Sequence, residues 1–336
     1  MSAGVVALGN ALVDVLSHES EGFLDDHAMV KGAMALIESE RAEALYAAMG
    51  PAIEISGGSA ANTVVGVASF GGAAAFIGRV FDDQLGDVYA HDLRAAGVEF
   101  HGETVREGEP TGRCLIVVTP DGERTLNTYL GASSDLAADD VDEALVADAQ
   151  VTYLEGYLWD SPSAQEAFRR AAEIAHANGR KVALTLSDSF VVDRHRDTFL
   201  DLVAGHVDIL FANEAEICSL YQVDDFDAAV TRVRDHCWLA ALTRSELGSV
   251  LLTSDAQREI DAHPIPGGKL IDTTGAGDLY AAGLLYGITE GYDLETAGRL
   301  GSLAAAEIIS HLGARPEASL VELAAPILAG ASRVTR

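Results

Sequence analysis

Short apolar runs alternate with helix-patterned stretches along almost the whole chain. The runs fall at 5–9, 74–77, 151–154, 182–186, 207–211, 239–243 and 249–253, and helical spacing occupies 60–70, 85–95, 163–177, 193–203 and 227–235. Strands too apolar to leave one face in water, each followed by a helix, predict a mostly parallel sheet covered on both sides. Two segments break the rhythm, 15–55 and 98–130. The second contains two β-rich runs, 113–119 and 123–129, around Pro120-Asp121-Gly122, the composition of a hairpin turn. Both segments are expected to form one small β-lid, leaving 1–14, 56–97 and 131–336 as a discontinuous main α/β unit. A lid of this kind would exclude water from a site beneath it.

Composition removes several classes of function. A formal net charge of −30 opposes nucleic acid or an anionic membrane as partner, since both demand a basic footprint. A saline cytoplasm or an arginine-favouring genome would each account for this charge with lysine only at Lys31, Lys181 and Lys269. No apolar run approaches the roughly 18 residues of a membrane span. Residues 1–9 lack a basic n-region and read as a first buried strand. Cys114, Cys218 and Cys237 are odd in number and widely spaced, which favours packed thiols in a reducing cytoplasm. There is no GxxxxGK[ST], no GxGxxG after the first strand and no HExxH, against P-loop, Rossmann and zinc-protease readings.

The chemistry concentrates in Asp272-Thr273-Thr274-Gly275-Ala276-Gly277-Asp278, which runs directly into the apolar helical stretch from Leu279. Gly275, Ala276 and Gly277 can turn backbone N–H groups toward an anion at a helix start. Asp278 then places a carboxylate beside that anion, which suits a general base for an attacking hydroxyl rather than simple anion binding. Gly57-Gly58-Ser59-Ala60-Ala61-Asn62 opens a second helix and offers close backbone approach plus an amide for a hydroxylated ligand; a plain tight turn explains those glycines equally well. Asp14, just past the first strand, stands where α/β sheets bind ligands and could accept two sugar hydroxyls, or be a solvated loop carboxylate. Asn213-Glu214-Ala215-Glu216 follows a strand, with Asn213 as a helix cap and Glu216 in reach of magnesium directly or through water. Thr243-Arg244-Ser245-Glu246-Leu247-Gly248 would lie at the same edge, against nucleotide phosphates.

In this combination the chain resembles the ribokinase-like (PfkB) family of carbohydrate and nucleoside kinases, from about Val6 to Pro316, and most of all its adenosine kinase branch. The heptapeptide ending at Asp278 and the Gly57–Asn62 motif carry the family resemblance. The lean to adenosine kinases rests on Gly9-Asn10-Ala11-Leu12-Val13-Asp14, Pro110-Thr111-Gly112-Arg113-Cys114, Leu184-Thr185-Leu186-Ser187-Asp188-Ser189-Phe190 and the segment from Val207 to Glu214. The resemblance implies a three-layer α/β/α fold with a β-lid, ATP as phosphoryl donor and Mg²⁺ as cofactor. It makes Asp278 the catalytic base, Gly275, Ala276 and Gly277 the anion hole, and Arg124 a lid arginine that stabilises the migrating phosphoryl group. Asn10, Asp14, Gly57, Gly58 and Asn62 would bind the sugar and Tyr157 would stack on a purine. Asn213, Thr243, Gly248 and Thr274 would serve the nucleotide, and Glu216 the magnesium. Asp272 and Thr274 fall near a K⁺ site occupied only in some members. Ser245 departs from the pattern, standing where many members have glycine. The implied activity is transfer from ATP to the 5′-hydroxyl of a ribonucleoside, adenosine before inosine, guanosine or ribose. A non-catalytic nucleoside-binding regulator is the rival of another class, and family members occur as monomers and as dimers paired lid to lid.

Overall fold

The computed structural model describes residues 3–333; the outermost ends of the expected main unit, 1–2 and 334–336, lie outside them. Nine strands form the main sheet in the spatial order Gln257–Ile260, Ser249–Leu252, Leu239–Thr243, Ile209–Asn213, Lys181–Thr185, Val151–Glu155, Val5–Leu8, Ala74–Ile77 and Val98–Phe100. Pairing is parallel except among the first three of that order, which run antiparallel. Side chains alternate between two cores: Val5 and Ala7 enter one, Val6 and Leu8 the other. Helices Ser59–Ser69, Ala276–Thr289 and Leu294–Ile308 cover the first face. Helices Pro162–Ala177, Ser189–His206 and Glu214–Tyr221 cover the second. This is the three-layer α/β/α arrangement expected from the alternation.

The strand at 207–211 begins two residues late because Val207 is the C-cap of the preceding helix. That helix starts at Ser189 rather than 193: Asp188 caps it, accepting from the Phe190 N–H at 2.6 Å.

A five-stranded sheet forms the lid, ordered Met34–Leu36, Arg124–Tyr129, Gly112–Val118, Leu12–His18 and Ala52–Gly57. The hairpin around Pro120-Asp121-Gly122 is present, with Arg124 opposite Val118. The lid sheet takes in Leu12–Asp14 and Ser56–Gly57, expected in the main unit, and two stretches expected in the lid lie outside that sheet. Val98–Phe100 pairs with Ala74–Phe76 at the edge of the main sheet, completing a strand–helix–strand unit through helix Gln84–Ala95. Glu103–Val105 pairs with Arg79–Phe81 in a separate two-stranded sheet. Cys114, Cys218 and Cys237 are free thiols, and no helix among the described residues is long and apolar enough to cross a membrane.

Candidate active site

Gly275 caps helix Ala276–Thr289 with φ 78°, a left-handed conformation that glycine adopts without strain. The Ala276 N–H, expected in the anion hole, donates instead to the Thr273 carbonyl at 3.2 Å, so the anion site of this helix start falls to the next amides, those of Gly277 and Asp278. A Cβ on Gly277 would meet nothing within 4 Å, so the backbone there borders open space. Asp278 lies in the same first turn. Its Oδ1 accepts from Ser59 Oγ at 2.6 Å and its Oδ2 from Asn62 Nδ2 at 3.0 Å. Burial raises the Asp278 pKa, opposed by those two hydrogen bonds and by the charge of Arg315. Asn62 Oδ1 is buried and makes no hydrogen bond, which leaves an acceptor for a ligand hydroxyl.

Ser59 and Asn62 stand on the first turn of helix Ser59–Ser69, whose N-cap Gly58 has φ 92°. A Cβ on Gly58 would overlap the Asn10 carbonyl, and one on Gly57 would overlap the Asp14 carboxylate. Both glycines therefore serve the packing of this corner as well as the turn. Asp14 is not a loop residue: it sits in lid strand Leu12–His18, paired with Cys114 and Ile55. Its pKa is pushed up to about 6, by burial first, with Arg315 and Arg124 pulling down and Asp278 pushing up.

The strand register puts Asp14, Leu16, Cys114, Ile116, Leu126 and Arg124 on one face of the lid sheet. Leu16 and Leu126 pack on the small cluster of Cys114, Ile116 and Val118. This face is apolar between a carboxylate at one end and a guanidinium at the other. The Arg124 guanidinium reaches across to Asp272 in the opposite unit as a largely buried ion pair, while Arg124 Nε keeps no partner.

Asp272 is further held by the Thr274 N–H at 3.0 Å, the Thr274 hydroxyl at 2.7 Å and the Gly313 N–H at 3.1 Å. Burial pushes its carboxyl up, but these bonds and the Arg124 charge outweigh it and hold the pKa below the usual value. Asp272 and Thr274 thus bind one another and the lid. The cation beside Asp272 is a guanidinium, so the arrangement does not fit a K⁺ ion at that carboxylate.

Other expected residues are arranged differently. Asn10 faces inward: Nδ2 donates to Glu155 at 2.7 Å and Oδ1 accepts from Ser133 at 3.0 Å, so its amide supports the site floor rather than presenting itself to a ligand. Asn213 and Glu216 close on each other as a capping box, Glu216 N–H to Asn213 Oδ1 at 2.9 Å and Asn213 Nδ2 to Glu216 Oε1 at 2.6 Å. Burial lifts the Glu216 pKa to about 7, against the backbone bond from Asn213 and with the charges of Asp188 and Asp278 adding to it. No group of three metal-ligating side chains occurs among the described residues. Glu216 nevertheless fits a hydrated Mg²⁺: its surroundings are rich in carboxylate, and a divalent cation beside a nucleotide would offset that charge.

Thr243 ends its strand at the same sheet edge. Gly248, in contrast, is explained by backbone packing, since a Cβ there would overlap the Ile260 carbonyl. Ser245 adopts φ 51°, the left-handed conformation that glycine would take there. Tyr157, in the turn Gly156–Asp160, has its phenol pKa raised by burial and then by Asp188 and Asp278, which places it in the electrostatic reach of the candidate base.

Three residues with no assigned role in the sequence reading join the site. Ser59 was visible only as part of its glycine motif. Glu155 is buried, accepts from the Ala60 N–H at 2.8 Å and from Asn10, and is lifted to about 7, chiefly by burial. Arg315 follows Gly313-Ala314, and no local pattern marks it.

A sequence profile described as pfkB family carbohydrate kinase matches residues 53–319. The adenosine kinase of Saccharomyces cerevisiae is 28% identical over 334 residues, covering 93% of this chain and 96% of the relative. A crystal structure of a "probable sugar kinase protein" from Rhizobium etli superposes with TM-score 0.88 at 52% identity, covering 96% of this chain and 98% of the other. The adenosine kinase of Sinorhizobium meliloti superposes with TM-score 0.88 at 50% identity, covering 96% and 99%.

Proposed function

The chain belongs to the pfkB family of carbohydrate kinases, and from that premise we propose that it transfers the γ-phosphoryl group of ATP to the 5′-hydroxyl of adenosine. The observation that carries the kinase chemistry is Asp278, a half-buried carboxylate oriented by Ser59 and Asn62 at a helix start. Asp278 takes the proton of the attacking hydroxyl, and the first-turn amides receive the negative charge of the transferring group. Asp14 and the open acceptor of Asn62 orient the sugar hydroxyls. Arg124, through its unpartnered Nε, takes a phosphate oxygen. Glu216 would hold Mg²⁺ through its waters. The ion, when bound, shields the nucleotide's charge and polarises the transferred group.

Adenosine, rather than a free sugar, is favoured by the apolar stretch of lid between Asp14 and Arg124, with Leu16 and Leu126 only partly buried there. A free sugar has nothing to set against that face, whereas a purine does, and Tyr157 can stack on one. The S. meliloti protein points the same way, while the R. etli protein keeps a sugar acceptor as the alternative. An acceptor screen with Mg·ATP decides: adenosine should give AMP and ADP, with inosine, guanosine and ribose slower by at least tenfold. Turnover of ribose without turnover of adenosine would overturn the assignment.

A further inference from the structure

Among the described residues, Arg315 is the cation whose charge acts on both Asp14 and Asp278. It makes hydrogen bonds to uncharged atoms only: Nε and Nη2 donate to the Ser56 carbonyl at 3.1 and 2.5 Å, Nη2 to Ser56 Oγ at 2.9 Å, and Nη1 to the Ala61 carbonyl at 3.0 Å. Ser56 belongs to lid strand Ala52–Gly57 and Ala61 to helix Ser59–Ser69. The guanidinium therefore spans the corner whose helical arm carries Ser59 and Asn62, the two donors to Asp278. On the far side of Ser56, Asp92 accepts from its N–H at 2.9 Å and from its hydroxyl at 2.5 Å, so the corner is gripped from both sides.

The charges around this corner are unevenly balanced. Asp278 is faced by Asp14, Glu155 and Glu216, with the phenols of Tyr153 and Tyr157, and by Arg315 as the opposing charge. Asp14 is faced by Arg315, Arg124 and Asp278, with Tyr89 and Cys114 beside it. Arg124 is committed to Asp272. Arg315 in turn faces Tyr89, Asp92, Asp14 and Asp278, and burial works against its own charge. A half-buried guanidinium bonded only to neutral atoms gives up hydration without a bonded countercharge, which is costly unless its field is used elsewhere.

We infer that Arg315 is a positioning residue for the transfer reaction: it clamps the Ser56–Ala61 corner that aims Ser59 and Asn62, and supplies the positive field in which Asp14 and Asp278 work. The inference rests on the reading of Asp278 as the base, and its test separates the two. Acceptor-dependent kcat and kcat/KM are measured against pH for wild type, D278N, R315Q, R315M and R315K, with thermal unfolding as the folding control. The acid limb, where rate falls as the base takes a proton, should move up by about one pH unit in R315Q and R315M, because lost positive field favours the protonated carboxyl. R315K keeps the charge and loses the fork, so its limb should stay in place while the acceptor KM rises about three- to tenfold. A polar and an apolar neutral variant are paired so that at least one is expected to fold without the charge. A folded R315Q or R315M with an unmoved limb overturns the inference. So does failure of both to fold together with an R315K of wild-type kcat and KM, which would leave Arg315 a stability residue. Near-normal turnover in folded D278N would instead overturn the reading of the base itself.

Discussion

Ser59 and Asp278 are 219 positions apart in the chain and share a 2.6 Å hydrogen bond that joins the first turns of two packed helices. The bond favours the ionised carboxylate while burial opposes it. Asp278→Asn should fold, bind both substrates and lose about 10²–10⁴ in turnover, the general-base range. Ser59→Ala should do less and differently. With one donor gone the Asp278 pKa rises, so the acid limb of kcat/KM shifts upward while the alkaline plateau changes little. A pH–rate series on both variants checks this, and an unmoved limb in Ser59→Ala would separate the hydroxyl from the base.

Gly277→Ala should separate catalysis from stability. The added methyl meets no protein atom, and alanine is the better helix former, so unfolding temperature should hold or rise. On the proposed role of this helix start the same methyl would enter the space open to the transferring group, so turnover should fall at least tenfold. Gly58→Ala is the contrast, because positive φ and overlap with Asn10 should lower stability outright, by about 1–3 kcal/mol. Thermal unfolding and initial rates on the pair decide.

The Arg124–Asp272 pair is largely buried, so removing either partner strands a charge. Asp272→Asn is expected to cost about 3 kcal/mol of stability. In the double variant with Arg124→Ala the losses should not add. A double-mutant cycle by denaturant unfolding gives the coupling, and additive losses would show that the pair contributes nothing.

Since Arg124 supplies the positive charge beside Asp272, turnover should persist when K⁺ and Na⁺ are replaced by a bulky organic cation at equal ionic strength. Initial rates in matched buffers test this. A strict K⁺ requirement would mean that the guanidinium leaves Asp272 during the catalytic cycle.

Glu155 predicts a sign for stability against pH. Its folded pKa, about 7, lies above the ordinary 4.5. Between those values the unfolded chain releases the proton and the folded one keeps it, so rising pH draws the protein toward unfolding. The contribution is whole below 4.5 and is lost as pH climbs to about 7, a swing on the order of 3 kcal/mol. Unfolding midpoints of Glu155→Gln should show a flatter pH dependence over that window than wild type, and parallel curves would refute the linkage.

Fully buried strands such as Val5–Leu8 and Ala74–Ile77 were legible because covering both faces of a sheet leaves an unbroken apolar run. Asp278, Gly275 and Gly277 were legible because a turn, a helix start and a carboxylate fall within seven consecutive residues. Asp14 read as a loop residue because a carboxylate interrupts the apolar residues of strand Leu12–His18, which therefore lacks the unbroken apolar run of a buried strand. Arg315 was illegible for a plainer reason. Its partners Ser56 and Ala61 lie 259 and 254 positions away, and only the folded chain brings them together. Asn10 was expected to face ligand but meets Glu155 inside the protein, a choice that residue type alone does not encode.

The chain passes to or from the lid sheet at four places, between Leu8 and Leu12, Gly57 and Ser59, Val105 and Gly112, and Tyr129 and Gly131. Four attachments side by side make a fulcrum, and position along a strand then becomes a lever arm. Asp14 lies two residues beyond its crossing and Arg124 five, roughly 7 and 17 Å at strand rise. Any swing of the sheet therefore carries the guanidinium more than twice as far as the carboxylate. On the proposed roles, the carboxylate that would orient the acceptor sits near the pivot and would hold it at any opening, while the guanidinium that would meet the phosphate rides toward the tip and would arrive only with full closure.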